Sequence, residues 1–372
     1  MKQETRRYET QLAVIGSGLA GFAASIFASQ RGIATAQVGS TGAVAYTTGF
    51  LDLLGAGSTG LMEDPWQALQ ILRREQPRHP LAGIGDEEIR AAFRQFTGVI
   101  SEMGVGYTEP GEKNLFAISP AGTLKPTYSV PCTVYPGIRA MQQKVATLII
   151  DFDGLKGFSA LELVANLKPV WPDLSTARLS FPEMEGSTQV YPEVMARALE
   201  VPLHREQLAA RIKAVLGNAG AVGMPAVMGV HTPDLVHAHL QELVGVPLFE
   251  IPTIPPAVPG IRLREMFEQV FPARGLTLVP QQKVQRVKFN KAGVTLCLKD
   301  SYGDVRIKAE TTLLATGRFL SGGLEARRNG VRETLLDIPV SQPESREAWY
   351  RKHYFDVRGH AINRAGIEVD ET

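Results

Sequence analysis

The first regular pattern along the chain is an apolar run followed by small and apolar residues at helical spacing. Residues 11–15, QLAVI, are typical of a buried parallel strand. GFAASIFASQR then predicts a helix, and Gly32 stands where a glycine ends such a helix. IATAQV predicts a second strand, so the chain opens with a β-α-β unit.

The middle of the chain, residues 61–275, mixes helical patterns with many prolines. WQALQILRRE, DEEIRAAFRQFTGVISEMG, FSALELVANL and PEVMARALE are amphipathic at helical spacing. EIPTIPPAVPG is too rich in proline for a central strand and predicts ordered loops. We interpret this region as an inserted, mixed α+β cap, substrate or partner domain.

Strict alternation of apolar and polar residues appears only after residue 276. VQRVKF, VTLCL and VRIKA alternate and are separated by turns at NKAG and DSYGD, which predicts an antiparallel meander. TTLLATG follows as a buried strand that ends in a small-residue turn. Residues 1–60 and 276–372 are therefore predicted to form one discontinuous α/β domain around the insertion.

Composition narrows the class of protein only slightly. The chain of 372 residues has a formal net charge of +1, so no global field favours nucleic acid or an anionic membrane. Its two cysteines are too few for a disulfide framework or an iron–sulfur cluster. The sequence shows no apolar run long enough to cross a bilayer, so membrane contact is expected to be peripheral.

The turn between the first strand and the helix carries the most specific chemistry. Residues 16–21, GSGLAG, satisfy the G-x-G-x-x-G fingerprint in its required strand–turn–helix context. The helix N-terminus offers free amide N–H groups and partial positive charge to a phosphate. Together with the meander and LLATG, this arrangement resembles the Rossmann-like, glutathione-reductase-like domain of flavoproteins that bind FAD and NAD(P).

The second strand ends in Gly39, where dinucleotide-binding domains usually carry an acidic residue that holds the adenosine ribose. Without that carboxylate, FAD or NAD would lose a contact worth roughly 1.5–3 kcal/mol. FMN has no adenosine and would lose nothing, whereas NADP would require a basic residue here. We expect FMN, with FAD bound without this contact as the alternative.

The chain resembles the B subunit family of anaerobic glycerol-3-phosphate dehydrogenase. The segments that carry the resemblance are VIGSGLAG (14–21), TTGFLDLLG (47–55), GMPAVMG (223–229), FEIPTIPPAVPGIRL (249–263) and LLATGRFLSGGL (313–324). The resemblance implies an FMN-linked oxidoreductase subunit that acts with an FAD-containing A subunit and an iron–sulfur C subunit. Such a complex passes electrons from sn-glycerol 3-phosphate to the quinone pool, forming dihydroxyacetone phosphate.

The same resemblance implies a cytoplasmic protein held at the cell membrane through its partner subunits. The family continues beyond AINRAGIEVDE with a strand, a glycine turn and a helix, so we expect this chain to lack that part of the flavin site. Two alternatives stay open. The first is a chain that acts alone as a flavin-dependent dehydrogenase of another small phosphorylated or hydroxy-acid substrate, and the second is a scaffold subunit without cofactor.

The glycine turns, the loop at 40–60 and the ATG turn together define the expected cofactor contacts. These are Gly16, Ser17, Gly18, Leu19, Ala20, Gly21, Gly39, Ser40, Thr41, Thr48, Gly49, Ala315, Thr316 and Gly317. Catalytic residues are harder to name, because no spacing selects a general base. Arg139 and Arg262, each in a Pro-Gly-Ile-Arg sequence, could bind an anion, and His353 could accept a proton. No metal site is expected.

Overall fold

The computed structural model describes residues 5–40, 42–57, 60–353 and 359–368. The helices are α1 Leu19–Gln30, α2 Pro65–Glu75, α3 Asp86–Glu102, α4 Tyr135–Gln142, α5 Ala160–Leu167, α6 Pro192–Ala198, α7 Pro202–Val215, α8 Pro233–Val244 and α9 Val258–Ala273. The strands of the first two-thirds are β1 Arg6–Ile15, β2 Thr35–Gly39, β3 Ala56–Gly57, β4 Gly60–Leu61, β5 Leu115–Ile118, β6 Leu124–Thr127, β7 Thr147–Phe152, β8 Leu174–Leu179, β9 Ala221–Pro225 and β10 Leu248–Ile251. The later strands are β11 Thr277–Pro280, β12 Arg286–Asn290, β13 Gly293–Asp300, β14 Gly303–Leu314, β15 Leu324–Arg327, β16 Gly330–Glu333, β17 Val340–Ser341 and β18 Gly366–Ile367.

The chain divides into two compact units. The first consists of Met1–Val44 with Phe267–Thr372, and the second is Ala45–Met266. The predicted boundaries at residues 60 and 275 therefore move to 44 and 266. Residues after 44 belong to the second unit because Leu51 pairs with Ser129 and Phe50 is buried in a cluster with Val130. At the other end, Phe267 of α9 stacks on Phe22 of α1, with ring centroids 4.2 Å apart.

The first unit is built on a six-stranded sheet in the order β11-β2-β1-β14-β13-β12. Strands β11, β2, β1 and β14 run parallel, which confirms the predicted β-α-β start and adds the short strand β11. β14 pairs with β1 through its length and with antiparallel β13 through its first part. The predicted VRIKA and TTLLATG strands are thus one continuous strand.

The meander strands and the parallel strands bury the same apolar face of one sheet. Alternate residues of β13 and β14, including Leu296 and Ile307, are fully buried with Ala13 and Val38 of the parallel strands. The opposite residues of β13 and β14 face outward and are polar. This alternation follows from the two-residue period of a strand and is what the sequence pattern predicted.

The second unit contains a four-stranded parallel sheet in the order β10-β9-β7-β8. It is more regular than the predicted mixed α+β insertion, because helices α5 to α8 connect parallel strands. β7, β9 and β10 are buried at every position, so they show no alternation from which the sequence could have predicted them. The proline-rich segment follows edge strand β10 as a loop and leads into α9, as expected for proline.

Candidate functional site

The glycine turn of the first unit links β1 to α1 in the arrangement that a phosphate site requires. Gly16 has φ of +132°, a conformation open to glycine, and a Cβ there would overlap the carbonyl oxygen of Ala315. Gly18 caps α1 without a side-chain hydrogen bond, and the first turn of the helix carries no acidic residue. A Cβ on Gly18 would meet no atom within 4 Å. Among the described residues, no side chain caps the N-terminus of α1, which is therefore approachable by an anion.

Ser17 adds an unsatisfied donor to this turn. Its hydroxyl oxygen is buried and has no hydrogen-bond partner in the part of the chain that the structure describes. Buried hydroxyls are normally paired, because an unpaired one costs about 1–3 kcal/mol. Ser17 is thus an orphaned polar group beside the free end of a helix, which fits a bound phosphate as its missing partner.

Gly39 lies directly against Ser17. A Cβ at position 39 would overlap the Ser17 side chain and would stand 2.6 Å from its backbone nitrogen. The space that an acidic side chain would need at the end of β2 is thus filled by the glycine turn itself. The residue at 39 is small for a steric reason that the sequence could not show.

Gln37 positions this turn, a role that sequence reasoning missed. Its side-chain amide donates to the Gly16 carbonyl at 2.8 Å and accepts from the Ser25 hydroxyl at 2.8 Å. Gln37 is completely buried on β2 and so ties the turn to both β2 and α1. A polar residue inside a buried apolar strand was the available signal, because such a residue needs buried partners.

The ATG turn lies next to the glycine turn. Ala315 donates its amide to the carbonyl of Ile15 at 2.8 Å, directly before Gly16. Gly317 has φ of +69°, and the hydroxyl of Ser321 donates to the Thr316 carbonyl at 2.7 Å. The structure therefore brings residues 16–21, 39 and 315–317 together in the first unit, around the carboxyl ends of β1, β2 and β14.

The remaining predicted cofactor contacts fall into three groups. Ser40 is exposed just after β2, and Thr41 lies outside the described residues. Thr48 and Gly49 belong to the second unit. There, the buried Tyr107 donates its hydroxyl to the Gly49 carbonyl at 2.6 Å. Burial raises the pKa of the Tyr107 phenol well above its usual range, so it remains a neutral donor.

Arg262 is not available to bind an external anion. Its guanidinium is 1% exposed and donates through both terminal nitrogens to the carboxylate of Glu250, each at 2.6 Å, and through Nε to the Gly229 carbonyl at 2.7 Å. Burial alone would raise the pKa of the Glu250 carboxyl, but Arg262 and further donors hold it below its ordinary value. The expectation of a catalytic or anion-binding Arg262 is therefore wrong, because its charge is fully used inside the second unit.

The two other catalytic candidates lie on the surface. Arg139 is exposed in the last turn of α4, although it shares the Pro-Gly-Ile-Arg sequence of Arg262. His353 is exposed immediately before residues outside the described part of the chain. Within the described residues, no group of three or more histidine, cysteine or acidic side chains is arranged to hold a metal ion. No described helix has the length and hydropathy needed to cross a membrane.

Comparison with known proteins confirms the resemblance drawn from the sequence segments. The chain is 28% identical over 371 residues to the B subunit of anaerobic glycerol-3-phosphate dehydrogenase from Vibrio cholerae serotype O1, covering 96% of this chain and 85% of that protein. It is 27% identical over 380 residues to a probable B subunit of the same enzyme from Halobacterium salinarum, covering 98% of this chain and 86% of that protein. A solved structure of 3-ketosteroid delta1-dehydrogenase from Sterolibacterium denitrificans covers 84% of this chain and 48% of its own, with 13% identity and a TM-score of 0.34. Residues 11–372 match the family described as FAD binding domain, and the chain belongs to that family.

Proposed function

We propose that this chain binds FMN at the glycine turn of its first unit and transfers electrons as a subunit of an anaerobic glycerol-3-phosphate dehydrogenase. The observation that carries the proposal is the orphaned Ser17 hydroxyl beside the uncapped N-terminus of α1. Both groups are donors, and a phosphate is an acceptor with several oxygens. The similarity to B subunits over nearly the whole chain supports the role.

The phosphate would be held by the Ser17 hydroxyl and by the amide N–H groups that begin α1. Hydrogen bonds to a charged group contribute about 1.5–3 kcal/mol each, and the helix end adds about 0.3–1 kcal/mol. Gln37 holds the turn in the binding geometry through the Gly16 carbonyl. When bound, a flavin supplies the capacity to accept a hydride and to pass electrons on singly.

The choice of FMN over FAD rests on Gly39. The end of β2 carries no carboxylate for an adenosine ribose, and Ser17 occupies the space that such a side chain would need. The family description names FAD, so FAD bound without this contact is the competing outcome. Either flavin would use the same phosphate contacts at Ser17.

A relay role is favoured over substrate oxidation because the catalytic candidates do not form a site. Oxidation of glycerol 3-phosphate requires a base at the hydroxyl and cations at the phosphate. Arg262 forms a buried ion pair with Glu250, and Arg139 lies exposed on α4. We therefore assign oxidation to an FAD-containing A subunit. Electrons would pass to an iron–sulfur C subunit and the quinone pool, at the cytoplasmic face of the membrane.

Cofactor identity provides the first test. The full chain is purified, its visible absorption spectrum is recorded, and the heat-released cofactor is weighed by mass spectrometry. We expect a flavin spectrum and the mass of FMN. Release of FAD would contradict the Gly39 argument alone, whereas a colourless protein that also fails to take up added flavin would contradict the whole proposal.

Two variants and one assay sharpen the test. Ser17→Ala removes the orphaned donor and should weaken FMN binding by about 10- to 100-fold, the equivalent of about 1.5–3 kcal/mol. Ser301→Ala, in an exposed turn of the same unit, is the matched control and should bind FMN normally. Dye reduction with glycerol 3-phosphate should require the partner subunits; turnover by this chain alone would favour the self-sufficient dehydrogenase instead.

A further inference from the structure

The outward face of the meander concentrates positive charge that the composition of the chain conceals. The register across strands β1, β14, β13 and β12 sets Arg7, Arg306, Cys297 and Arg286 in one row. The next outward row holds Glu9, Lys308, Thr295 and Lys288. We call these two rows the basic face. It carries five cations and one carboxylate, although the whole chain has a formal net charge of only +1. Two exposed carboxylates, Asp304 and Glu310, flank the basic face on β14, and Lys299 lies opposite Asp304 on β13.

Most of these charges form no ion pair within the described part of the chain. Lys308 pairs with Glu9 at 3.1 Å, and both side chains are more than half exposed. No ion pair is found for Arg7, Arg286, Lys288 or Arg306 among the described residues, and all four are exposed. Adjacent strands lie about 4.8 Å apart, so Arg7 and Arg306 are close neighbours of like charge. Like charges in such positions destabilise a sheet.

Protection of a sheet edge explains only part of this charge. β12 is the edge strand, and lysine or arginine on an edge prevents pairing with other chains. That reason covers Arg286 and Lys288. It also covers Arg7, because β1 pairs with β2 only from Leu12 onward and has β14 as its partner strand at Arg7. It does not cover Arg306, because β14 has β1 on one side and β13 on the other there. Arg306 is inside the sheet with the like-charged Arg7 beside it, and a ligand that neutralises both charges explains this arrangement better than edge protection does.

The chemistry of the face selects the class of ligand. Apart from charged side chains, the two rows contain only Thr295 and Cys297, so the face has no aromatic anchor. Specific protein interfaces use buried aromatic or apolar anchors, and single-stranded nucleic acids stack on aromatic rings. A flat array of long cationic side chains without anchors fits a diffuse anionic surface.

We propose that the basic face binds the anionic phospholipid headgroups of a membrane directly. Each lysine or arginine near an anionic bilayer contributes an attraction equivalent to about a fivefold change in partitioning. Salt screens this attraction over a Debye length, which is about 10 Å at 0.1 M salt, so the attraction weakens as the salt concentration rises. This contact requires neither a flavin nor a partner subunit, so it can be tested independently of the proposed function.

The test is co-sedimentation of the full chain with lipid vesicles. One set contains phosphatidylcholine only, and the other contains about 40% phosphatidylglycerol, each at about 0.05 M and 0.3 M salt. We expect binding to the anionic vesicles at low salt, little binding to the neutral ones, and loss of binding at high salt. Failure to sediment with anionic vesicles at low salt overturns the proposal, even if the face then binds an acidic protein.

Paired variants assign the binding to this face. Arg286→Gln with Arg306→Gln removes two cations from one row and should reduce partitioning by roughly 25-fold. Lys168→Gln with Lys213→Gln removes the same charge from exposed positions in the second unit and should leave partitioning within about twofold. Equal losses in both pairs would mean that net charge, not this face, drives binding, and would also overturn the proposal. Thermal unfolding of each pair confirms that the chain remains folded.

Discussion

Replacement of Arg262 by leucine should destabilise the second unit strongly, because it leaves the Glu250 carboxylate buried without its countercharge. Both side chains are 1% exposed or less. Of its donors among the described residues, Glu250 would retain the Thr133 hydroxyl and the Met228 amide, each at 2.6 Å. Breaking a buried ion pair by removing one partner costs about 3–5 kcal/mol.

The size of the effect can be measured by thermal unfolding. The second unit spans residues 45–266, and for a unit of this size 1 kcal/mol shifts the melting temperature by about 2–4 °C. A loss of about 4 kcal/mol therefore lowers the midpoint by roughly 8–16 °C. Differential scanning calorimetry, or near-ultraviolet circular dichroism followed with temperature, reports this midpoint directly.

Arg139→Leu is the matched control, since Arg139 ends the other Pro-Gly-Ile-Arg sequence and is exposed. Its substitution should change stability by less than about 0.5 kcal/mol. The double variant Arg262→Leu with Glu250→Leu should recover part of the loss, because no unpaired charge remains, although the Met228 amide loses its acceptor. If Arg262→Leu cost less than about 1 kcal/mol, the buried pair would be no stronger than a surface one and the reasoning would be refuted.

Three further predictions concern single residues. Gly16→Ala should destabilise the first unit by at least about 1–3 kcal/mol in urea unfolding, because a Cβ at this position overlaps Ala315. The control Gly18→Ala should cost less than about 1 kcal/mol, because a Cβ there meets no atom within 4 Å. Equal losses would contradict the assigned geometry. The pKa of Glu250 in the folded protein lies below its unfolded value, so its contribution to the free energy of unfolding is present at neutral pH and is lost as pH falls. The difference in stability between wild type and Glu250→Gln should therefore narrow below about pH 4. A constant difference would argue against an ionised Glu250. Burial raises the pKa of Tyr107, so this phenol should not ionise when the folded protein is titrated with alkali. Tyr107→Phe should therefore leave the absorbance titration unchanged. Loss of one titrating phenol in this variant would show that Tyr107 is accessible.

The first unit was largely predictable because its patterns are local. The strand, the glycine turn and the alternating meander each show their period within about ten residues. Strand β11 was missed because its four residues, TLVP, are too short to show a period. The parallel sheet of the second unit was missed because β7, β9 and β10 are buried at every position and carry no alternation.

The candidate site was predictable in its residue types but not in its contacts. Pro-Gly-Ile-Arg occurs twice, yet Arg262 is buried and Arg139 is exposed, because the acidic residue Glu250 lies beside only one of them. The sequence shows that position 39 lacks a carboxylate, but it does not show that Ser17 packs against Gly39 and leaves no room for a side chain. Such contacts join residues distant in sequence, and no local pattern records them.

The pairing of β1 with β14 also determines when the first unit can form during synthesis. Arg6 is in register with Val305, so β1 gains this neighbour only after synthesis has passed Val305. The second unit is continuous from Ala45 to Met266 and leaves the ribosome complete before β14 exists. Because domains fold as units during synthesis, we expect the inserted unit to fold first. The nascent β1 then carries an unpaired edge until β14 has been made, which makes it the segment that most needs protection from aggregation.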